Sequence, residues 1–408
     1  MGAVEAVVGH YKEGNFNWPM IIYMTFVHYT ALLGVRALLS VSWETLLWAF
    51  LLWPISGLGI TAGVHRLWSH RSYEAHWSVR GLLMIFNSIA NQGSIFHWAR
   101  DHRVHHKHSE TTADPHNATR GFFYAHMGWL LIKKDPDVVK AGRDLDFSDL
   151  KADGFVMFQK RLDPWFTLFM CYLLPGYVAQ YGWGESFWPA VWVAGALRYC
   201  CVLHFTWCVN SAAHFFGDHP YDPKSWPAEN PFVSVCAIGE GWHNWHHKYP
   251  YDYAASEFGV ASQFNPTKLF IDGCAAPGNK TTHLAALLAA SSKPSLRSAS
   301  RVIAFDRDPE RLGILAARCA NAGCGNVGDG GDAGTGSVVG GSAASTKAKI
   351  AKKKGKRLPR EKLGGQGNNE RDHPLVTVQL ADFLSVDVAA PLMDGVRAIL
   401  LDPSCSGS

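Results

Sequence analysis

HRVHH (residues 102–106) and HNWHH (residues 243–247) decide how this chain is built. Both carry three histidines in the pattern HxxHH, which on an α-helix lays the three rings along one face. Two shorter clusters accompany them: HRLWSH, with His65 and His70, and NSAAH, with Asn210 and His214. Imidazole is the commonest protein ligand for a transition metal. The nine histidines are His65, His70, His102, His105, His106, His214, His243, His246 and His247. One ion seats roughly four to six such donors, so the count fits two metals held close together. A lone histidine on an apolar face is more often a satisfied polar residue than a ligand. Four ordered clusters along one apolar chain are not explained that way.

Working outward, the composition is that of a membrane protein joined to something soluble. Charged residues make up 18% of the 408 and aromatics 12%, against about 25% charged in ordinary globular chains. Four apolar stretches, about 20–39, 44–63, 165–181 and 187–208, each approach the roughly 20 residues that cross a bilayer. His28, Arg36, Glu44 and Arg198 interrupt or flank them. Taken as two hairpins with short connections near 40–43 and 182–186, these stretches bring all four histidine clusters to one membrane face. Arg66, Arg71, Lys107, Lys133, Lys134 and Lys140 fall on that side, which is therefore expected to be cytosolic. Residues 1–19 lack the basic-then-apolar pattern of a cleavable signal, so the first span is expected to direct insertion. Nine cysteines without secreted-type spacing fit a reducing compartment. A net charge of +4 gives no argument for nucleic acid. The expected fold over residues 1–272 is mostly α, with four transmembrane helices and a cytosolic helical cap carrying a di-metal site.

At the residues between the clusters the chain resembles a known family. GITAGVHRLWSHRSY (59–73), WARDHRVHHKHSETTADPHN (98–117), RGFFYAHMGWLL (120–131), VNSAAHFFGDHPYD (209–222) and GEGWHNWHHKYPYDYAASEFG (239–259) are similar to membrane acyl-CoA desaturases of the stearoyl-CoA, delta-9 type. Histidine clusters alone would also admit alkane hydroxylases and sterol oxidases; these strings are more specific. The resemblance covers about 17–272 and implies a di-iron centre ligated by the nine histidines, with Asn210 acting on one metal through a water. It also implies a multi-pass endoplasmic-reticulum protein with cytosolic termini. Fatty acyl-CoA and O2 would be substrates, and electrons would come from cytochrome b5 and its reductase; no fused haem motif is recognisable in the sequence. Removing hydrogen from an unactivated CH2 needs a stronger oxidant than any side chain, which is why such a centre is required. By the same resemblance Gln92, Trp98 and Thr206 line and kink an acyl tunnel. Arg100 and Asp101 lie near the CoA head, and Trp53 closes the tunnel with Gly57 one turn further on. Gly93 departs from a polar residue common in vertebrate relatives and is left out of the expected site.

After residue 272 the chain changes character. GCAAPGNKTTHLAALLAA (273–290), RVIAFD (301–306), VTVQLADF (376–383) and VRAILLDPSCSGS (396–408) resemble, in order, motifs of Sun-type RNA cytosine-5 methyltransferases. The two resemblances share an I-D-x-C-A-A string near 270–276, where a recombination would leave its seam. The expected second domain, 273–408, is an incomplete Rossmann-like α/β fragment. A strand at Leu269–Ile271 ending at Asp272, a Gly-containing turn and a helix at 281–290 are expected to form a strand-turn-helix cradle for S-adenosylmethionine. Asp306 would bond its ribose, as acidic residues do in Rossmann-like sites. The residues implied for that cofactor are Cys274, Ala275, Ala276, Pro277, Gly278, Lys280, Asp306, Arg311, Asp382 and Asp402. In that family the attacking cysteine belongs to a later motif than DPSCSG, and Cys405 matches the cysteine that helps release product. A catalytically incomplete fragment is therefore expected, in which a strand at 397–401 would expose a hydrogen-bonding edge. The insert at 321–374, rich in Gly, Ala, Ser and Lys and containing AKIAKKKGKR, is too polar to order itself. Two further readings remain: an RNA methyltransferase anchored by an inactive membrane region, and a fragment that only senses S-adenosylmethionine. RNA is not an expected partner of the leading reading.

Overall fold

A computed structural model of the chain describes residues 3–260, 262–274, 302–306, 327–329 and 376–380. The chain divides into two compact units, Met1–Ala276 and Pro277–Ser408.

The first unit is helical, and its helices begin where the sequence supplies caps. Pro19 in the first turn starts the Trp18–Ala37 helix. Ser42 caps the next helix by accepting from Thr45 N (3.4 Å), and Glu44 lies in its first turn. This helix runs α-helical over Trp43–Leu58 and continues as a π-helix over Gly59–Ser69. Three helices among the described residues are long and apolar enough to cross a membrane: Trp18–Ala37, Trp43–Ser69 and Phe187–Phe215. The remaining expected span, 165–181, is helical from Trp165 to Trp183 with a π turn over Phe169–Leu173. It falls short of the other three in apolar length, with Pro175, Gly176 and Gln180 diluting it. The two short connections meet: Glu185 Oε2 accepts from Ser42 N (2.7 Å) and from Thr45 Oγ1 (2.9 Å).

Packing explains two residues that break the apolar runs. Gly34 lets the first helix lie against Val191–Leu197, since a Cβ there would stand 2.3 Å from Trp192 O. Arg198 is buried with no carboxylate partner among the described residues, and its guanidinium is spent on carbonyls instead. It donates to Ala194 O (3.1 Å), Ile89 O (3.1 Å) and Cys171 O (2.9 Å). Ala194 and Cys171 lie in π stretches, and Ile89 lies in the last turn of Trp77–Ala90, so each acceptor is near a local loosening of the helical ladder. Val64, Trp68, Leu83, Ile95, Phe96 and Tyr253 belong to one buried core, to which the helices carrying His65 and His102–His106 contribute Val64, Trp68, Ile95 and Phe96.

The second unit contributes three parallel strands in the order Val302–Asp306, Val376–Leu380, Val327–Asp329. Val376 stands opposite both Val302 and Val327. Val327–Asp329 lies inside the 321–374 stretch expected to be unordered, so three of its residues pair with a neighbour. The expected strand at Leu269–Ile271 is a correction: these residues belong to the Pro266–Cys274 helix. Asn265 Oδ1 accepts from Lys268 N (3.0 Å), Pro266 opens the first turn, and Lys268 pairs with Asp272 at i,i+4 (2.9 Å). Cap, Pro and ion pair together outweigh a three-residue apolar run. Ile271 is fully buried in the first unit's core, and Asp272 accepts from Tyr253 Oη (2.7 Å) rather than turning toward a cofactor. Cys274 ends that helix, and Asp306 ends its strand. Ala275, Ala276, Pro277, Gly278, Lys280, Arg311, Asp382, Asp402, Cys405, the helix at 281–290 and the strand at 397–401 lie outside the described residues.

Candidate metal centre

The nine histidines come together as two groups. His65, His70, His102, His106 and His246 form one, and His105, His214, His243 and His247 the other; within each, the ligand atoms lie within 4.8 Å of one another. Each HxxHH box serves both groups. On the Ile95–His108 helix, His102 and His106 are an i,i+4 pair in the five-histidine group, while His105 points into the other. On His243–Lys248 the assignment is exchanged: His243 and His247 share the four-histidine group, and His246 crosses over. His65 and His70 are five residues apart, which on an α-helix would separate them by about 140°. The π winding corrects this, with His70 N donating to His65 O at 3.1 Å.

Carboxylates behind the rings fix which nitrogen faces inward. His65 Nδ1 donates to Glu240 Oε2 (2.9 Å), His105 Nδ1 to Asp114 Oδ1 (2.8 Å) and His214 Nδ1 to Glu110 Oε1 (3.2 Å). Glu240 Oε1 also accepts from Arg66 Nη2 (2.7 Å) and Nε (3.1 Å). Burial would raise the Glu240 carboxyl, but the Arg66 and His65 charges pull it down to about 2. Burial likewise opposes ionisation of Asp114, but His105 outweighs it and holds that carboxyl well below the usual carboxylate range. His70, His102, His106, His243, His246 and His247 are pushed well below the usual imidazole value, first by burial and then by neighbouring imidazoles. They are neutral rings with lone pairs available. His105 alone among these boxes is raised, because Asp114 outweighs its burial.

The inward nitrogens crowd together, and the carboxylates behind His65, His105 and His214 leave the Nε2 of those three rings bare. Nε2–Nε2 separations are 3.0 Å for His65–His246, 2.8 Å for His70–His102, 3.1 Å for His106–His246, 3.2 Å for His214–His243 and 3.1 Å for His243–His247. His105 Nε2 is buried and has no hydrogen-bond partner among the described residues. Imidazole nitrogens converging at such distances and an orphaned inward nitrogen fit a cation at each group. Borderline, all-nitrogen donor sets of four and five suit first-row transition metals.

A cavity of about 350 Å³ opens beside this cluster. It is lined by apolar Met20, Met24, Ile60 and Leu203, and by His65, His102, His105 and His243. Gln92, Trp98, Arg100, Asp101, Thr206 and Asn210 all face it. Gln92 Nε2 donates to Thr206 Oγ1 (2.9 Å), and Trp98 stacks on His102 with centroids 4.8 Å apart. Arg100 and Lys134 both pair with Asp101, leaving a positive balance on that wall. A smaller void of about 30 Å³ shares Ile60, Thr61, Thr206, Val209 and Glu240 with the first and contains Trp53 and Gly57. Trp53 Nε1 donates to Cys236 O (3.0 Å), which pins the indole. Gly93, left out of the expected site, lines the main cavity with φ +87, a conformation that favours glycine. The sequence reading also missed Glu110, Asp114, Glu240 and Lys134. The signal for the carboxylates was available: Asp114 follows the second cluster closely, and Glu240 stands three residues before His243.

The fatty acid desaturase family profile matches residues 41–255. The chain is 51% identical over 324 residues to the human stearoyl-CoA desaturase, covering 78% of this chain and 83% of that protein. It is 51% identical over 279 residues to an acyl-CoA desaturase of Cyprinus carpio, covering 66% of this chain and 85% of that protein. A delta(9)-fatty-acid desaturase of Caenorhabditis elegans is 47% identical over 262 residues, covering 64% of this chain and 77% of that protein.

Proposed function

The chain belongs to the fatty acid desaturase family, and we propose that it inserts a cis double bond at carbon 9 of saturated fatty acyl-CoA. The observation that carries this reading is the union of two buried histidine groups with an apolar cavity whose wall they form. His65, His70, His102, His106 and His246 would hold one iron, and His105, His214, His243 and His247 the other, with Asn210 beside them. Two irons there would supply the reduction of O2 that lets two hydrogens leave adjacent methylenes. The rest falls to the protein. Met20, Met24, Ile60 and Leu203 exclude water and grip the acyl chain. The Gln92–Thr206 hydrogen bond and the Trp98 ring set its path past the histidines, while Trp53 limits its depth. Arg100 and Lys134 offer positive charge to the phosphates of the CoA head. Electrons are proposed to come from a separate cytochrome b5-type donor.

For topology we infer four spans in an endoplasmic-reticulum membrane with cytosolic termini, the third being Trp165–Trp183. The meeting of the two short connections at Glu185 supports paired hairpins. For the second unit we propose an α/β origin of the methyltransferase type. Its support is the parallel pairing of Val302–Asp306 with Val376–Leu380, with Asp306 at a strand's C-terminal end. The primary test is expression of the full chain in yeast lacking its own delta-9 desaturase. Palmitoleate and oleate are expected with the wild-type chain and absent with His105→Ala and with His246→Ala. Unsaturated product from both variants would exclude this centre.

A further inference from the structure

Outside the nine-histidine centre, His28, Cys200 and His204 bring their ligand atoms within 4.8 Å of one another. His28 stands on the Trp18–Ala37 helix, and Cys200 and His204 are one turn apart on Arg198–Asn210. Both helices belong to apolar, membrane-length segments, where ionisable side chains are costly and mark functional sites.

The hydrogen bonds around the two rings settle their tautomers. Met24 O can only accept, so His28 Nδ1 donates to it (2.7 Å) and His28 Nε2 keeps a bare lone pair. From the other end, the Ser211 hydroxyl donates to Trp207 O (2.9 Å). Ser211 Oγ therefore accepts from His126 Nδ1 (2.8 Å), and His126 Nε2 accepts from His204 Nδ1 (3.0 Å). That leaves His204 Nε2 bare as well. The two bare nitrogens face each other at 3.1 Å, the same spacing found between inward nitrogens of the nine-histidine centre. Each ring is also held through Nδ1 by a partner behind it, as metal-ligating imidazoles are.

We propose that His28 Nε2, His204 Nε2 and the Cys200 sulfur bind a third metal ion, the monovalent thiophilic cation copper(I). An ion roughly 2.0–2.1 Å from each nitrogen fits the 3.1 Å gap at an angle of roughly 100°. Soft thiolate with imidazole selects copper(I) or zinc. Charge decides between them. Binding displaces the thiol proton to solvent, so one thiolate and one monovalent ion make a neutral complex, whereas a divalent ion leaves a net positive charge among apolar helices. Structural zinc also takes four ligands, and the group supplies three. The ion would clasp the first apolar helix to the last.

The test is anaerobic titration of the purified, iron-loaded full chain with copper(I) against a colorimetric copper(I) chelator. One copper per chain is expected beyond the iron. X-ray absorption at the copper edge should show one sulfur neighbour, which separates this site from copper in the all-nitrogen histidine centre. Cys200→Ser and His204→Leu should each abolish the bound copper while iron content stays at the wild-type level. Failure of the wild-type chain to hold copper, a copper site without sulfur, or retention of copper in both variants would overturn the proposal.

Discussion

Replacing Glu240 by Gln tests whether one buried carboxylate holds the five-histidine group in register. In the wild-type chain its two oxygens serve three N–H groups: Arg66 Nη2 (2.7 Å) and Nε (3.1 Å) on Oε1, and His65 Nδ1 (2.9 Å) on Oε2. A Gln of the same shape offers one acceptor and one NH2. Arg66 is 1% exposed, and stripping a buried charge of its partner costs about 3–5 kcal/mol. The amide oxygen is therefore expected to stay with Arg66, turning its NH2 toward His65. His65 must then accept at Nδ1 and carry its hydrogen on Nε2, the atom that faces His246 at 3.0 Å. A ring in that state has no lone pair for a metal. Losing an outer partner of this kind costs metal affinity roughly 10–100-fold, about 1.4–2.7 kcal/mol. The loss should be confined to one group, because His105 and His214 are held by Asp114 and Glu110 instead. The assay is iron release to a chelator from folded, monodisperse protein. One iron should leave faster and the other at the wild-type rate. Wild-type release of both irons from folded Glu240→Gln would refute the argument.

Trp53→Ala should let the smaller void accept a longer acyl chain. Two more buried methylenes at ~0.8 kcal/mol each favour the longer substrate roughly 15-fold in relative kcat/KM, and an unchanged ratio between acyl-CoAs differing by two methylenes would rule out Trp53 as the stop. Glu229 is buried, accepts from Trp245 N (2.7 Å), and is raised by burial to about 7. The folded chain thus holds this proton more tightly than the unfolded one, so its contribution is complete below about pH 4.5 and is lost as pH rises through about 7. Thermal unfolding in detergent at about pH 6 and about pH 8 should show a smaller drop for Glu229→Gln than for wild type; equal drops would remove Glu229 from the account.

The clustering histidines were legible because each cluster is a short local motif, and HxxHH on a helix needs only the 3.6 period. The division into five and four was not. It depends on His105 and His246 each crossing to the group their neighbours do not use, which is set by how two distant helices face each other. The π winding that aligns His65 with His70 leaves no periodic signal either. His28 and Arg198 could be seen only as interruptions of apolar runs. Their partners lie far away in sequence, His204 for the one and the Ile89 and Cys171 carbonyls for the other. Leu269–Ile271 was misread for the opposite reason: local capping at Asn265 and Pro266 carried more weight than the apolar run and a distant motif.

The crossing of the two boxes has a mechanical consequence. Because the Ile95–His108 helix carries His102 and His106 for one group and His105 for the other, the separation of the two groups on that side is set by rigid helical geometry. The His243–Lys248 helix repeats the arrangement in the opposite sense. The helices thus set the spacing of the two groups, while the outer carboxylates set the ring tautomers group by group: Glu240 in the five-histidine group, Asp114 and Glu110 in the other. Glu240 reaches His65 from three residues before the His243 box, and Glu110 and Asp114 hold His214 and His105 from just beyond the His102 box. The two segments that supply both boxes thus also supply all three of these carboxylates. On the proposed reading, an acyl chain in the adjoining cavity would meet two metal groups whose spacing is fixed by covalent and helical geometry. Its depth would then be left to the side chains of the smaller void, Trp53 first among them.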